Sequence, residues 1–226
     1  MACNPKALLR FGAPLVVVLG LACGGGSGSS GAVAASSKGL SYTDPTGTGW
    51  RLVKDAASTP QRLVLTLMGP SGEFGRGVGF NLRTDGSVTF GKLGGEYLQD
   101  VGVFRLGNKT GPIGLFGQQV VKDVYASGGG LKEGGNLLTV GAFQKDRRWP
   151  AVPLDQPLMR IAIEFDPVKT AELLKGSMIP LQVVRARSIP EYIGEVPGTP
   201  TFSYGSVVNN YRIDEIHVAV GTLTTN

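Results

Sequence analysis

The chain holds very few residues of the types that do covalent or metal chemistry. One histidine, His217, stands among 226 residues. A Ser-His-Asp site would have to use it, yet no G-x-S-x-G nucleophile elbow occurs. A single imidazole also leaves no metal site built from histidines. His217 falls between Ile216 and Val218 in an alternating stretch, so it reads as a residue on the solvated face of a sheet. The carboxylates Glu73, Glu96, Asp100, Glu164 and Glu191 could serve as an acid and base pair on a glycoside, but sequence spacing does not bring two of them across a cleft. Gly75, Gly77 and Gly79 form G-x-G-x-G inside a strand pattern with no helix after it. Close backbone packing or a bulge accounts for them better than a phosphate loop does. No dense D-x-D-x-D-G calcium loop is present. Asn108-Lys109-Thr110 matches a glycosylation acceptor, a three-residue pattern that arises readily by chance. No catalytic residue and no cofactor are expected.

The residue with the clearest chemistry is Cys23. Lys6 and Arg10 precede an uncharged run, Phe11 to Ala22, of 12 residues. A spanning helix wants about 20 apolar residues, whereas the apolar region of an export signal has about 7–15. The small residues Gly20 and Ala22 close the run, then come Cys23 and GGGSGSSGAVAASSKG, a Gly/Ser/Ala stretch from Gly24 to Gly39 whose end-to-end distance as a coil is about 20–24 Å.

Leu19-Gly20-Leu21-Ala22-Cys23 resembles the lipobox of bacterial lipoproteins. That resemblance implies that the Cys23 sulfur receives a diacylglycerol, that the signal is cut just before it, and that its new amino group is acylated. Each buried CH₂ contributes about 0.8 kcal/mol, so two or three acyl chains hold permanently where one is marginal. Gly24, with no Asp beside the Cys, implies sorting to the outer membrane. An ordinary secretory signal with an incidental Cys is the alternative. The cysteine count agrees with lipidation, because Cys3 leaves with the signal and Cys23 is consumed, so no disulfide remains. Stability then has to come from packing. Removing Lys6 and Arg10 leaves 20 basic and 17 acidic residues, a net +3 with only Arg147-Arg148 as a basic cluster. That is too little for a nucleic-acid partner.

Beyond Ser41 short alternating segments are broken by 35 Gly and 14 Pro along the whole chain. Leu63, Leu65 and Leu67 alternate with Val64, Thr66 and Met68, which predicts a strand buried on both faces. Val78, Phe80 and Leu82 share a face, and Asp85-Gly86 predicts a hairpin to Val88 and Phe90. Further strands are predicted over 50–54, 136–144, 159–165, 179–187 and 213–223. Asp166-Pro167 through Gly176 carries the start and stop signals of one short helix. Residues 105–135 read as a long loop or an inserted hairpin. The expected architecture is all-β: a two-sheet antiparallel β-sandwich, jelly-roll or immunoglobulin-like, over residues 41–226. It follows a signal peptide (1–22) and a lipidated Cys with Gly/Ser-rich linker (23–40).

Leu158 to Phe165, the Gly176-led turn with Met178 to Val184, and Ile216 to Thr224 with Gly221 near the end together resemble the close of cohesin-type and related carbohydrate-binding sandwich domains. The resemblance implies a binding role. Trp149, Tyr97 and Tyr125, with Tyr192 and Tyr204, fall in Gly/Pro-rich contexts where flat rings could stack on sugars or anchor a protein; plugging the core under loops is the alternative for each. The expected partners are a membrane, reached through the lipid anchor, and an envelope protein or polysaccharide. Adhesion, scaffolding or assembly at the cell envelope comes first, a carbohydrate-binding module second and a lipid-anchored hydrolase third.

Overall fold

Residues 62–68 and 159–165 have the two most apolar alternating patterns in the chain, and they lie side by side. Leu63, Leu65 and Leu67 pair with Ile163, Ile161 and Met159, and every one of these six side chains is buried. The computed structural model describes residues 36–101, 103–106, 118–122, 132–133, 135–144, 150–191 and 212–226. Within them the strands are β1 (Leu40–Thr43), β2 (Arg51–Lys54), β3 (Arg62–Met68), β4 (Phe74–Gly75), β5 (Gly77–Thr84), β6 (Val88–Gly91), β7 (Leu98–Asp100), β8 (Arg105–Leu106) and β9 (Gln118–Lys122). They continue as β10 (Lys132–Glu133), β11 (Leu137–Phe143), β12 (Val152–Pro153), β13 (Met159–Phe165), β14 (Met178–Ile179), β15 (Leu181–Ile189), β16 (Asp214–Glu215) and β17 (Thr222–Thr225). The described residues contain no helix.

Two antiparallel sheets dominate. One runs β2-β3-β13-β6, with β7 also on β13; the other runs β10-β9-β11-β5-β15-β16, with β8 also on β11. A smaller sheet, β1-β17-β14, and the pair β12-β4 complete the set. The rows Leu63, Leu65, Leu67 and Met159, Ile161, Ile163 from the first sheet share one cluster with Val78, Phe80, Leu82 and Leu138, Val140, Ala142 from the second. This is the arrangement of an all-β sandwich, and each of these side chains larger than Ala142 contributes about 1.5–3 kcal/mol by leaving water. Val64 and Ala162, directly opposite one another on the outer side of β3 and β13, are buried as well, so β3 is covered on both faces as its sequence predicts.

Several expectations change; the strand expected over 179–187 divides at Pro180, Ile179 pairing with β17 and Leu181–Ile189 with β5. Asp85-Gly86 makes a tight turn, with Gly86 at φ +87° and Ser87 N–H donating to Asp85 Oδ1 at 2.8 Å, but no hairpin. β5 pairs with β11 and β15, while β6 pairs with β13, so the turn carries the chain from one sheet to the other. A local turn signal specifies reversal and leaves the choice of neighbour to packing. The expected helix at 166–176 is a series of turns. Asp166 does cap it, accepting from Val168 and Lys169 N–H at 2.9 and 3.0 Å. Buried Thr170 then donates its hydroxyl to the Ser87 carbonyl, while the carbonyls of Thr170 and Leu173 accept from Ser37. Those tertiary bonds outweigh the propensity of a segment too short to be helical alone. Finally, 213–223 is no continuous strand. Asp214–Glu215 pairs with β15, Ala219 exchanges bonds with Trp50 and Leu52, and Thr222–Thr225 pairs with β1. Ile216, Val218 and Val220 still face the core as their alternation predicts. Residues 118–133 include the antiparallel pair β9-β10, the inserted-hairpin reading of that region.

Ser36 to Gly39, read as the end of the linker, belong to the sandwich. Ser37 N–H donates to Leu173 O at 3.1 Å, Lys38 N–H to Asn226 O at 2.7 Å, and Ser36 bridges to Leu174.

Candidate functional site

The outward face of the larger sheet follows from strand alternation and register. Val78, Phe80 and Leu82 point into the core, so Gly77, Gly79 and Asn81 point outward. Register sets Asn81 between Thr139 and Arg185, and Gly79 between Gly141 and Arg187. Two adjacent glycines therefore leave a place on the sheet where no side chain rises. A trough of about 290 Å³ lies there, lined by Gly79, Asn81, Thr139, Arg185, Arg187 and Ile213, among others.

Each glycine of the G-x-G-x-G stretch is explained by proximity. A Cβ on Gly77 would stand 2.7 Å from the Phe143 Cβ, one on Gly75 2.9 Å from a Leu154 methyl, and one on Gly79 3.1 Å from the Val140 carbonyl oxygen. This is the close packing that the strand pattern suggests, and it produces the trough as a by-product.

The walls have mixed chemistry. Arg185 is exposed, and Arg187 meets Glu215 at 3.3 Å across an exposed ion pair. Asn81 and Thr139 supply an amide and a hydroxyl, and Ile213, 50% exposed, supplies an apolar rim. Beside the rim, Arg212 bonds Asp214 at 3.0 Å and Glu191 at 3.2 Å, and its N–H donates to the Glu191 carbonyl at 3.1 Å. These contacts close the stem of the 192–211 segment, which lies outside the described residues. A guanidinium presents up to five donors in a plane and suits carboxylates or carbonyls, so the trough is equipped to bind. Sequence inspection missed Arg185, Arg187 and Ile213. The signal was present in the Gly79 to Asn81 alternation but needed the register of β15 to become visible.

Of the aromatic candidates, Tyr97 is half-buried against the core, and the Lys92 Nζ sits 5.0 Å from its ring centroid, so a cation already occupies one ring face. Trp149 and Tyr125, with Tyr192 and Tyr204, lie outside the described residues, as do Cys23 and Asn108-Lys109-Thr110. His217 is exposed and stands outside the strands. Several carboxylates have structural roles. Glu164 pairs with Arg62 across β13 and β3 at 2.5 Å, Glu191 with Arg212, and Glu96 accepts from the Gln118 amide, whose oxygen accepts from Leu98 N–H. Among the described residues no three His, Cys, Asp or Glu side chains gather as metal ligands.

Two polar sites brace the fold away from the trough, one joining β1 to β2 and Gly221, the other on β3 and β13. The Tyr42 hydroxyl donates to Leu52 O at 2.9 Å and accepts from Gly221 N–H at 2.6 Å, and burial pushes its pKa up to about 12. On the outer side of the smaller main sheet Asp55 accepts from Ala57 N–H, the Thr66 hydroxyl and the Arg160 guanidinium, each at 2.8 Å. The Ala57 bond leads in holding its carboxyl below the usual range. No protein-family model, curated protein or solved structure matches the chain.

Proposed function

We propose that this chain is a lipid-anchored bacterial envelope protein whose β-sandwich binds a protein partner for adhesion, scaffolding or assembly. The anchor reading rests on the lipobox-like residues ahead of Cys23 and on a mature chain without other thiols. The observation that carries the binding reading is the glycine-floored trough. It combines exposed strand backbone, two arginines and an isoleucine rim, a mixture that suits an extended polypeptide bearing a carboxylate. The sequence from Leu158 to Thr224 resembles the close of cohesin-type domains, which implies a binding role.

Polysaccharide is the second reading. Asn81, Thr139 and Arg185 could take sugar hydroxyls, and Trp149 or Tyr125 would supply the stacking ring. The two readings separate in one experiment. The mature protein and its Arg185→Glu and Ile213→Asp variants are used to capture partners from envelope extract. Recovery of one defined protein, lost in both variants, supports the protein reading. Recovery of glycan alone, lost on changing Trp149 to Ala, supports the other. Turnover of glycan or peptide that stops on changing one carboxylate would replace both with a hydrolase.

A further inference from the structure

Five large apolar side chains are exposed among the described residues, and three of them fall in one stretch of chain: Val168 (68%), Leu174 (54%) and Met178 (72%). Hydrogen bonds fasten that stretch to one end of the sandwich. Asp166 accepts from Val168 N–H, the Thr170 carbonyl accepts from the Ser37 hydroxyl, and the Leu174 carbonyl accepts from Ser177 N–H and the Thr225 hydroxyl. Met178 pairs with Thr224. The same surface receives the chain at Ser36, which bridges to Leu174.

Its place in the sandwich is set by β5. Thr170 bonds to Ser87, next to the turn at the Thr84 end of β5, whereas the trough and the Arg212 stem lie toward the Gly77 end. Eight residues of strand separate those ends by roughly 24 Å. Chain attachment and binding trough thus sit toward opposite ends of one body.

We infer that the end carrying Val168, Leu174 and Met178 rests on a phospholipid surface, which leaves the trough on the side of the body, toward the end farther from it. The inference depends on the reading that Cys23 is acylated. Twelve residues lie between Cys23 and Ser36, and a Gly/Ser-rich chain of that length spans about 17–21 Å, so an acylated Cys23 would hold this end of the body within reach of the headgroups. At such effective concentration even a weak surface contact is occupied. The contact is apolar in character. Lys169 and Lys175 are matched in the same stretch by Asp166 and Glu172, while their stems and that of Lys38 can lie along the interface with the ammonium in water. A second copy of the chain could also cover the patch, but nothing ties a copy to this end, whereas the acylated tether ties the bilayer to it.

The test uses the mature acylated protein in phosphatidylethanolamine and phosphatidylglycerol vesicles carrying a lipid-bound quencher. Leu174→Cys, Met178→Cys or Ser71→Cys is labelled with a fluorophore, Ser71 lying at the far end beside Asp155. The acyl mass is measured on each sample. The expected result is quenching several-fold stronger at 174 and 178 than at 71, unaffected by added salt, and reduced at 174 when Val168→Ser and Met178→Ser are combined. Equal quenching at all three positions in acylated protein overturns the seating while leaving the anchor intact, as does shielding at 174 and 178 that appears only with dimerisation. An unacylated mature chain overturns the anchor reading and this inference together.

Discussion

Tyr42 and Gly221 show how a single contact sets both a steric and an acid-base constraint. A Cβ on Gly221 would stand 1.9 Å from the Thr43 carbonyl oxygen and 2.8 Å from the Tyr42 ring, both part of the β1-β17 seam. Gly221→Ala should therefore cost upward of about 2 kcal/mol in denaturant unfolding, because the backbone of β1 has to move. Tyr42→Phe leaves the Leu52 carbonyl and Gly221 N–H without the hydroxyl and should cost about 1–3 kcal/mol. Because burial raises the Tyr42 pKa to about 12, its contribution is complete below the unfolded value of about 10 and is lost as pH climbs toward 12. The Phe variant should show a shallower loss of stability over that alkaline range. Asp55 has the opposite sign. Its bonds to Ala57, Thr66 and Arg160 depress its pKa, so their stabilisation is present above about pH 3.9 and drains away as pH falls through the lower folded value. Asp55→Asn should lower stability at neutral pH by about 1–3 kcal/mol and flatten the acid limb of the unfolding curve.

At the scale of elements, the crossing turn is the most informative case. Gly86 at φ +87° is needed for the chain to leave β5 and enter the other sheet. Gly86→Val should cost about 1–3 kcal/mol, a drop of roughly 2–10 °C in Tm, without loss of β-sheet circular dichroism. The strand Met159–Phe165 was legible to the residue, and Leu63 to Leu67 to both its faces, because apolar alternation with period two reports burial directly. The turn at Asp85-Gly86 was legible as a turn and not as a crossing, since Val78 to Leu82 and Val88 to Phe90 are equally suited to pair or to pack. The segment 166–176 misled for another reason. Asp166 accepts two backbone N–H bonds as a cap would and Gly176 takes φ +84°, but Ser37 and Ser87 capture Thr170 from far along the chain. Long-range hydrogen bonds of that kind leave no periodic trace. The trough belongs to the same class, since Gly79 becomes a floor only once Arg187 and Gly141 are known to flank it.

At the scale of the whole molecule, a thiol-poor chain buries two apolar sheets against one another and needs no cross-link. The entering chain at Ser36 and the trough lie toward different ends of β5, the polarity that the proposed anchoring and binding would use. Arg185→Glu and Ile213→Asp, both on exposed residues, should abolish partner capture while shifting unfolding by no more than about 0.5 kcal/mol. A parallel loss of capture and stability would move the binding site elsewhere. The account as a whole turns on covalent attachment at Cys23. Its most direct test is the intact mass and membrane fractionation of the protein beside its Cys23→Ser variant. The account predicts a wild-type chain that begins at Cys23, carries acyl mass and sediments with membranes, and a variant that carries no acyl mass and is not held by an acyl anchor. A wild-type chain that sediments with membranes at the mass of bare polypeptide would contradict it.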